Sequence, residues 1–326
     1  MFENEIYAII PKEDVLYYIG KAWLIDMDTK ILLENGTNEL EVLEFVLNGN
    51  AYGINVAKVK EITAYQSVTP VPNSHPSIEG VFMPRDTMIT AIDLKNCLQR
   101  GTSEAGGLFI ITNFNKLDIA FHVDDVRGIH RVSWGSIIKP DSTVASAEES
   151  VSTGIVKIED RLIIILDFEK IVTDINPETG LKVSEIDEMG TRNRSDIPIL
   201  IAEDSVLLNR LIVESLKHAG YDNLTHTSNG QEAYDVICKS KANGTLNKTV
   251  QCIITDIEMP VMDGHRLTKL VKEDAQTKDI PIIIFSSLVN DEMKRKGEAL
   301  GANAQLSKPE IGNLVRVIDE LVEKSK

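Results

Sequence analysis

The stretch Ile199-Leu200-Ile201-Ala202-Glu203-Asp204 decides the fold of the second half of the chain. Four apolar residues without polar alternation suit a strand buried on both faces, and such strands belong to parallel sheets covered by helices. Directly after it, Leu208, Leu211, Ile212, Leu216 and Ala219 fall at i, i+3, i+4 spacing and Gly220 follows, the pattern of a helix face and its stop. Two more buried runs, Cys252-Ile253-Ile254-Thr255 and Ile282-Ile283-Ile284-Phe285, repeat the rhythm. A last helical stripe carries Ile311, Leu314, Val315, Ile318, Leu321 and Val322. This alternation predicts an α/β doubly wound, five-stranded parallel sheet.

Ligands of such a sheet bind at the carboxyl ends of the strands, where the strand order reverses. The first strand ends in Glu203-Asp204 and the third in Asp256. A strand order of 2-1-3-4-5 would make these strands neighbours and bring three carboxylates together. Three such charges in a partly desolvated cleft repel strongly unless a cation neutralises them. An all-oxygen set favours Mg²⁺ or a similar hard ion. An ion there would also draw a phosphodonor toward Asp256, whose carboxylate can act as a nucleophile and form an acyl phosphate. Ser286 ends the fourth strand and Lys308 the fifth, offering a hydroxyl and a cation for the same phosphoryl group. Taken singly, each residue has a plainer reading. Glu203-Asp204 would be acids at a helix N-terminus, Asp256 and Ser286 caps, and Lys308-Pro309 a loop. Together, in order at the ends of successive strands, they point to one site.

Upstream of residue 175 the texture differs. Leu43-Glu44-Phe45-Val46-Leu47 before Asn48-Gly49, Leu108-Phe109-Ile110-Ile111 and Arg161-Leu162-Ile163-Ile164-Ile165-Leu166 are short apolar strands between turns, the pattern of a barrel or sandwich. A helix is predicted over residues 12–23. Residues 176–196, with Pro177, Gly180 and Gly190 among charged and small polar residues, read as a linker, with room for a short helix over 182–189. The amino-terminal part shows no catalytic set. Asp93, Asp118, Asp124 and Asp125 fall near turns and strand edges, where solvated carboxylates are common, and His75 beside Pro76 reads as a turn residue.

Composition bounds the function. The 326 residues suffice for two domains, and 43% hydrophobic with 26% charged residues is a globular balance. A formal charge of -16 excludes a nucleic-acid partner, which demands a basic face. No apolar run approaches the roughly 18 residues of a membrane span, and the acidic start lacks the basic residues of a secretory signal. Both readings predict a cytoplasmic protein without direct membrane insertion. Cys97, Cys238 and Cys252 are far apart, without a C-x-x-C pair, and read as reduced, mostly buried thiols.

Residues 197–324 resemble a response-regulator receiver domain of the CheY type. The matching motifs are Leu200-Ile201-Ala202-Glu203-Asp204-Ser205, Asp256-Ile257-Glu258-Met259-Pro260-Val261-Met262-Asp263-Gly264, Ile280-Pro281-Ile282 with Ser286-Ser287, and Lys308-Pro309. The resemblance implies phosphorylation of Asp256, Mg²⁺ held by Glu203, Asp204, Asp256 and the main-chain carbonyl of Glu258, and Ser286 and Lys308 on the phosphoryl group. It also implies an aromatic switch three residues before the lysine, where this chain has Gln305. Leu288, apolar where some fast-hydrolysing receivers carry an acid or amide, suggests a longer-lived phosphoryl state.

Residues 39 to about 173 resemble a CheW coupling domain, a mainly-β double SH3-like barrel. The resemblance rests on Phe45-Val46-Leu47, Tyr52-Gly53-Ile54-Asn55-Val56, Val59-Lys60-Glu61-Ile62, Pro76-Ser77-Ile78-Glu79-Gly80-Val81, Ile89-Thr90-Ala91-Ile92-Asp93-Leu94, Val123-Asp124-Asp125-Val126 and Gly154-Ile155-Val156-Lys157. With the lead-in from Ile31 to Leu40, the whole chain is similar to the CheV family. Its expected divisions are a lead-in over 1–38, the coupling domain over 39–175, the linker over 176–196 and the receiver over 197–326. The family implies a non-enzymatic adaptor at chemoreceptor arrays, with chemoreceptors (methyl-accepting chemotaxis proteins) and the histidine kinase CheA as partners. Arg85 aligns with an arginine implicated in receptor contact; an exposed strand-end arginine is the plainer reading. Two alternatives remain at this stage. One is a phosphate sink for the kinase. The other is a Mg²⁺-dependent, Asp-nucleophile phosphohydrolase with Glu258 as its second acid.

Overall fold

The computed structural model describes residues 38–114, 117–139, 151–177, 194–288 and 291–323. The helices expected over 12–23 and 182–189 lie outside the described residues, as do most of the lead-in and linker. The chain forms two compact units. One holds residues 40–132 and 151–177; the other holds 194–323 together with residues 38–39 and 133–139.

The first unit is β-rich. Its elements are β1 (Glu39–Leu47), β2 (Asn50–Asn55), β3 (Val59–Ala64), β4 (Ile78–Phe82), β5 (Ile89–Asp93), α1 (Leu94–Cys97), β6 (Leu108–Phe114), β7 (Leu117–Val123), β8 (Asp125–Ser133), β9 (Ser152–Ile158), β10 (Arg161–Leu166) and α2 (Phe168–Ile175). They build two five-stranded sheets, ordered β8-β1-β2-β10-β9 and β3-β6-β7-β5-β4. The β1–β2 hairpin turns at Asn48-Gly49, both in the left-handed region at φ 49° and 77°, where Asn and Gly are the tolerated residues. One core gathers Phe45, Ile54, Phe121 and Phe168 from both sheets and α2, and Phe121 meets Phe168 edge to face at 4.6 Å.

The second unit contains β11 (Ile199–Ala202), α3 (Val206–His218), β12 (Leu224–Thr227), α4 (Gly230–Ala242), α5 (Leu246–Thr249), β13 (Cys252–Thr255), α6 (Gly264–Glu273), β14 (Ile282–Ser286), α7 (Asp291–Ala299), β15 (Ala304–Ser307) and α8 (Ile311–Glu323). All its strands run parallel in the order β12-β11-β13-β14-β15, the predicted 2-1-3-4-5. All four residues of β11 and of β13 are buried, which is why neither strand alternates. Alternate residues feed two cores. Ile199, Ile201 and Ile254 pack with α3 and α8, while Leu200, Ala202 and Ile253 pack with α4 and α6. The α8 stripe buries Ile311, Leu314, Val315 and Ile318 completely, each worth about 1.5–3 kcal/mol relative to exposure. Among the described residues no helix is long and apolar enough to cross a membrane.

Two sequence expectations need correction. Cys238 is exposed, on the outer face of α4, rather than buried. Asp93 is not a solvated acid. It is 6% exposed, caps α1 through the amides of Lys95 and Asn96, and accepts two hydrogen bonds from Ser103.

Candidate functional site

The carboxyl ends of β11 and β13 lie side by side, Ala202 pairing with Thr255, so the residues that follow them are forced together. Glu203, Asp204 and Asp256 each offer an oxygen within 4.8 Å of the others. Local sequence holds the loops that carry them. Ser205 caps α3 by accepting from the Leu208 amide, and its own amide donates to Glu203 Oε1 at 3.2 Å. The Asp256 amide donates to the Ala202 carbonyl, and Asp256 Oδ1 accepts from the Ile257 amide at 2.6 Å. The loop then folds back until a Cβ at Gly264 would stand 1.9 Å from the Asp256 carbonyl oxygen, so only glycine fits there. Asp263 caps α6 one residue earlier.

Lys308 reaches this cluster from the end of β15. Its Nζ lies 2.8 Å from Asp256 Oδ2 and 3.1 Å from Glu203 Oε2, with all three side chains nearly closed to water. One buried cation therefore faces three carboxylates. Lys139, within the same compact unit, adds a looser charge contact at 3.6 Å from Asp204 Oδ2 with its side chain 42% exposed. Burial pushes the Glu203 carboxyl well above its ordinary range; Lys308 opposes this, and the charges of Asp256 and Asp204 add to it. Glu203 Oε2 is near Lys308 by distance, yet no donor is aligned with it as a hydrogen bond among the described residues. A sealed carboxylate oxygen without an aligned donor, inside an all-oxygen set with excess negative charge, fits a hard divalent cation.

Ser286 sits at the end of β14, fully buried, opposite Ser307 in register, with its Oγ accepting from the Leu288 amide at 3.2 Å. Its hydroxyl proton is thus not committed to that contact. Glu258 is half-buried in the loop two residues past Asp256. Gln305, in the position expected to hold an aromatic switch, points its amide under α7. A Cβ at Gly297 would lie 2.4 Å from Gln305 Oε1, and neither amide atom finds a partner among the described residues. Leu288 is 5% exposed. Arg85 belongs to the other unit, in the turn between β4 and β5, where it is half exposed and pairs with Glu61 at 2.9 Å. The exposed Met83 and Met88 flank it.

Residues missed in the sequence are those paired over long range. Glu44 is fully buried on β1 with Arg161, Arg127 and His130 around it, and His122 lies between Glu79 and the Gly106 carbonyl. No local spacing announces either cluster.

Two family models match the chain, the CheW-like domain over residues 41–176 and the response regulator receiver domain over residues 199–319. The chain is 28% identical over 305 residues to chemotaxis protein CheV3 of Helicobacter pylori, an alignment covering 88% of this chain and 96% of the relative. It is 26% identical to CheV2 of the same organism, covering 88% and 95%. Chemotaxis protein CheW of Thermotoga maritima is 31% identical over 151 residues, 46% of this chain and 98% of that protein. The chain belongs to the CheV family of chemotaxis adaptors, a CheW-like domain followed by a response regulator receiver domain.

Proposed function

We propose that this chain couples chemoreceptors to the histidine kinase CheA through its amino-terminal domain, under the control of phosphorylation at Asp256. The supporting observation is the buried Lys308 bridge, which places one cation against the Asp256 carboxylate at the carboxyl end of the central strands. Glu203, Asp204, Asp256 and the Glu258 carbonyl would hold Mg²⁺, which when bound supplies charge neutralisation for an incoming phosphoryl oxygen.

Asp256 attacks the phosphorus of a phosphohistidine. A P–O bond forms, the P–N bond breaks, and its electron pair stays on the departing imidazole. Lys308 Nζ, already on Asp256 Oδ2, then shares its charge with the phosphoryl oxygens, and the Ser286 hydroxyl donates to one of them. The product adds about -1.5 to -2 charges beside the loop that follows Asp256. This chemistry makes the chain a phosphoacceptor rather than an enzyme with a released product. Its place is in the cytoplasm at receptor arrays, with Arg85 in the turn beside Met83 and Met88 as a receptor contact. The working divisions are a coupling domain over 39–175 and a receiver over 197–326.

The test is phosphoryl transfer from labelled CheA to this chain and to Asp256→Asn, with and without Mg²⁺. Label that needs Mg²⁺ and vanishes in the variant supports the proposal; an unlabelled wild type beside a labelled control receiver refutes it. Turnover of a generic phosphate ester would instead identify a phosphohydrolase.

A further inference from the structure

His122 is the penultimate residue of β7, the central strand of its sheet, and is 2% exposed. Its Nδ1 lies 2.9 Å from Glu79 Oε2, and its Nε2 lies 2.6 Å from the Gly106 carbonyl oxygen. A neutral imidazole has one N–H to give. With one proton on the ring, one of these contacts would set a nitrogen lone pair against an oxygen lone pair. A Glu79 carboxylate, like the Gly106 carbonyl, can only accept. Only a ring carrying both protons satisfies both contacts.

The surroundings supply the counter-charge. Glu79 faces the ring from β4, and Asp93 on β5 is its register partner. Tyr65, at the end of β3, stacks on the ring at 4.9 Å, and Phe109 of β6 packs at 5.2 Å. Burial works against the charged ring, but the Glu79 and Gly106 hydrogen bonds, then the charges of Glu79 and Asp93, hold it above the ordinary value of 6.5.

We infer that His122 is a buried imidazolium clasp, one N–H holding edge strand β4 and the other the 101–107 connection, so that losing its proton releases one of the two. The connection has a second anchor, since Asp93 accepts from the Ser103 amide and hydroxyl, both at 2.8 Å. The sheet is thus fastened from its centre outward by a group that titrates. The sign follows from the raised value. The clasp is fully present below pH 6.5 and is lost as pH rises through the folded-state value.

The experiment is NMR of the His122 ring nitrogens in the full chain, from mildly acidic to alkaline pH, with amide exchange at Gly106 and Glu79. Both nitrogens carry protons at mildly acidic pH, the midpoint lies above 6.5, and the two amides exchange several-fold faster than control amides as the ring titrates. Glu79→Gln, a partly exposed change that spares the buried ring, lowers the midpoint. A single protonated nitrogen at mildly acidic pH, a midpoint at or below 6.5, or a midpoint unmoved by Glu79→Gln overturns the inference.

Discussion

Glu44 and Glu203 are both buried glutamates, at 0% and 2% exposure, and their surroundings treat them oppositely. Burial pushes each carboxyl up. For Glu44 the hydrogen bonds from His130 and Arg161, then the charges of Arg161 and His130, carry it below the ordinary range. Its contacts are Arg161 at 2.5 and 3.3 Å, His130 at 2.7 Å and Arg127 at 3.4 Å. Glu203 has one lysine, shared with Asp256, and two acids beside it, and it stays well above that range. The sheet builds the first arrangement through its strand order, which brings Arg161 of β10 and Arg127 and His130 of β8 to Glu44 on β1. The lesson is that burial alone does not mark a functional acid. Charge balance does, because a buried acid with surplus cations is finished, whereas a surplus of acids waits for a cation.

The largest effect on this contrast should come from Lys308→Met, which strips the buried cation from three carboxylates. Without Mg²⁺ we expect the receiver to lose about 3 kcal/mol in urea unfolding, with much of the loss recovered by adding Mg²⁺. Unchanged stability would break the comparison. Next comes a mirrored pair. Glu44→Gln should destabilise the coupling domain by about 1–2 kcal/mol, a value discounted because Arg161 and Arg127 remain some 40% open to water. Glu203→Gln should instead raise the stability of the metal-free receiver by about 1 kcal/mol, since it replaces an acid whose ionised form burial and two neighbouring acids disfavour.

The pH dependence sharpens the same point, read by segment-resolved hydrogen exchange. Glu44 has a depressed value, so its contribution is present above pH 4.5 and is lost as pH falls through the folded-state value. Glu203 has a raised value, so the metal-free receiver is favoured at low pH and loses stability as pH rises through the folded-state value. Acidification should therefore loosen protection around β1 while tightening it around β11. The smallest effect expected is at Val261, a β-branched residue held at φ 71°. Val261→Asn should raise stability by about 0.5–1 kcal/mol in thermal unfolding by relieving left-handed strain.

The parallel sheet and its acid cluster were readable because each signal is local. Strands β11, β13 and β14 are unbroken apolar runs, and the cluster residues follow their strands directly. Strand β12 was silent, since Leu224–Thr227 is four residues long and His226 faces solvent. The Glu44 and His122 clusters were invisible for another reason. Their partners lie 16 to 117 residues away and meet only through the folding of the sheets, which no spacing in the chain encodes. Asp93 misled because its neighbours suggest a solvated turn, whereas Ser103 returns to hydrogen-bond it and β7 pairs alongside it at His122.

The most direct test of the charge-balance claim is calorimetric titration of Mg²⁺ into the full chain, Asp256→Asn and Glu44→Gln. Wild type should bind Mg²⁺ and release protons as Glu203 ionises, so that the heat varies with the buffer; Glu44→Gln should match it, and Asp256→Asn should lose the binding. Binding that survives Asp256→Asn, or no binding to the wild type, would contradict the claim that the surplus acids at β11 and β13 form the cation site.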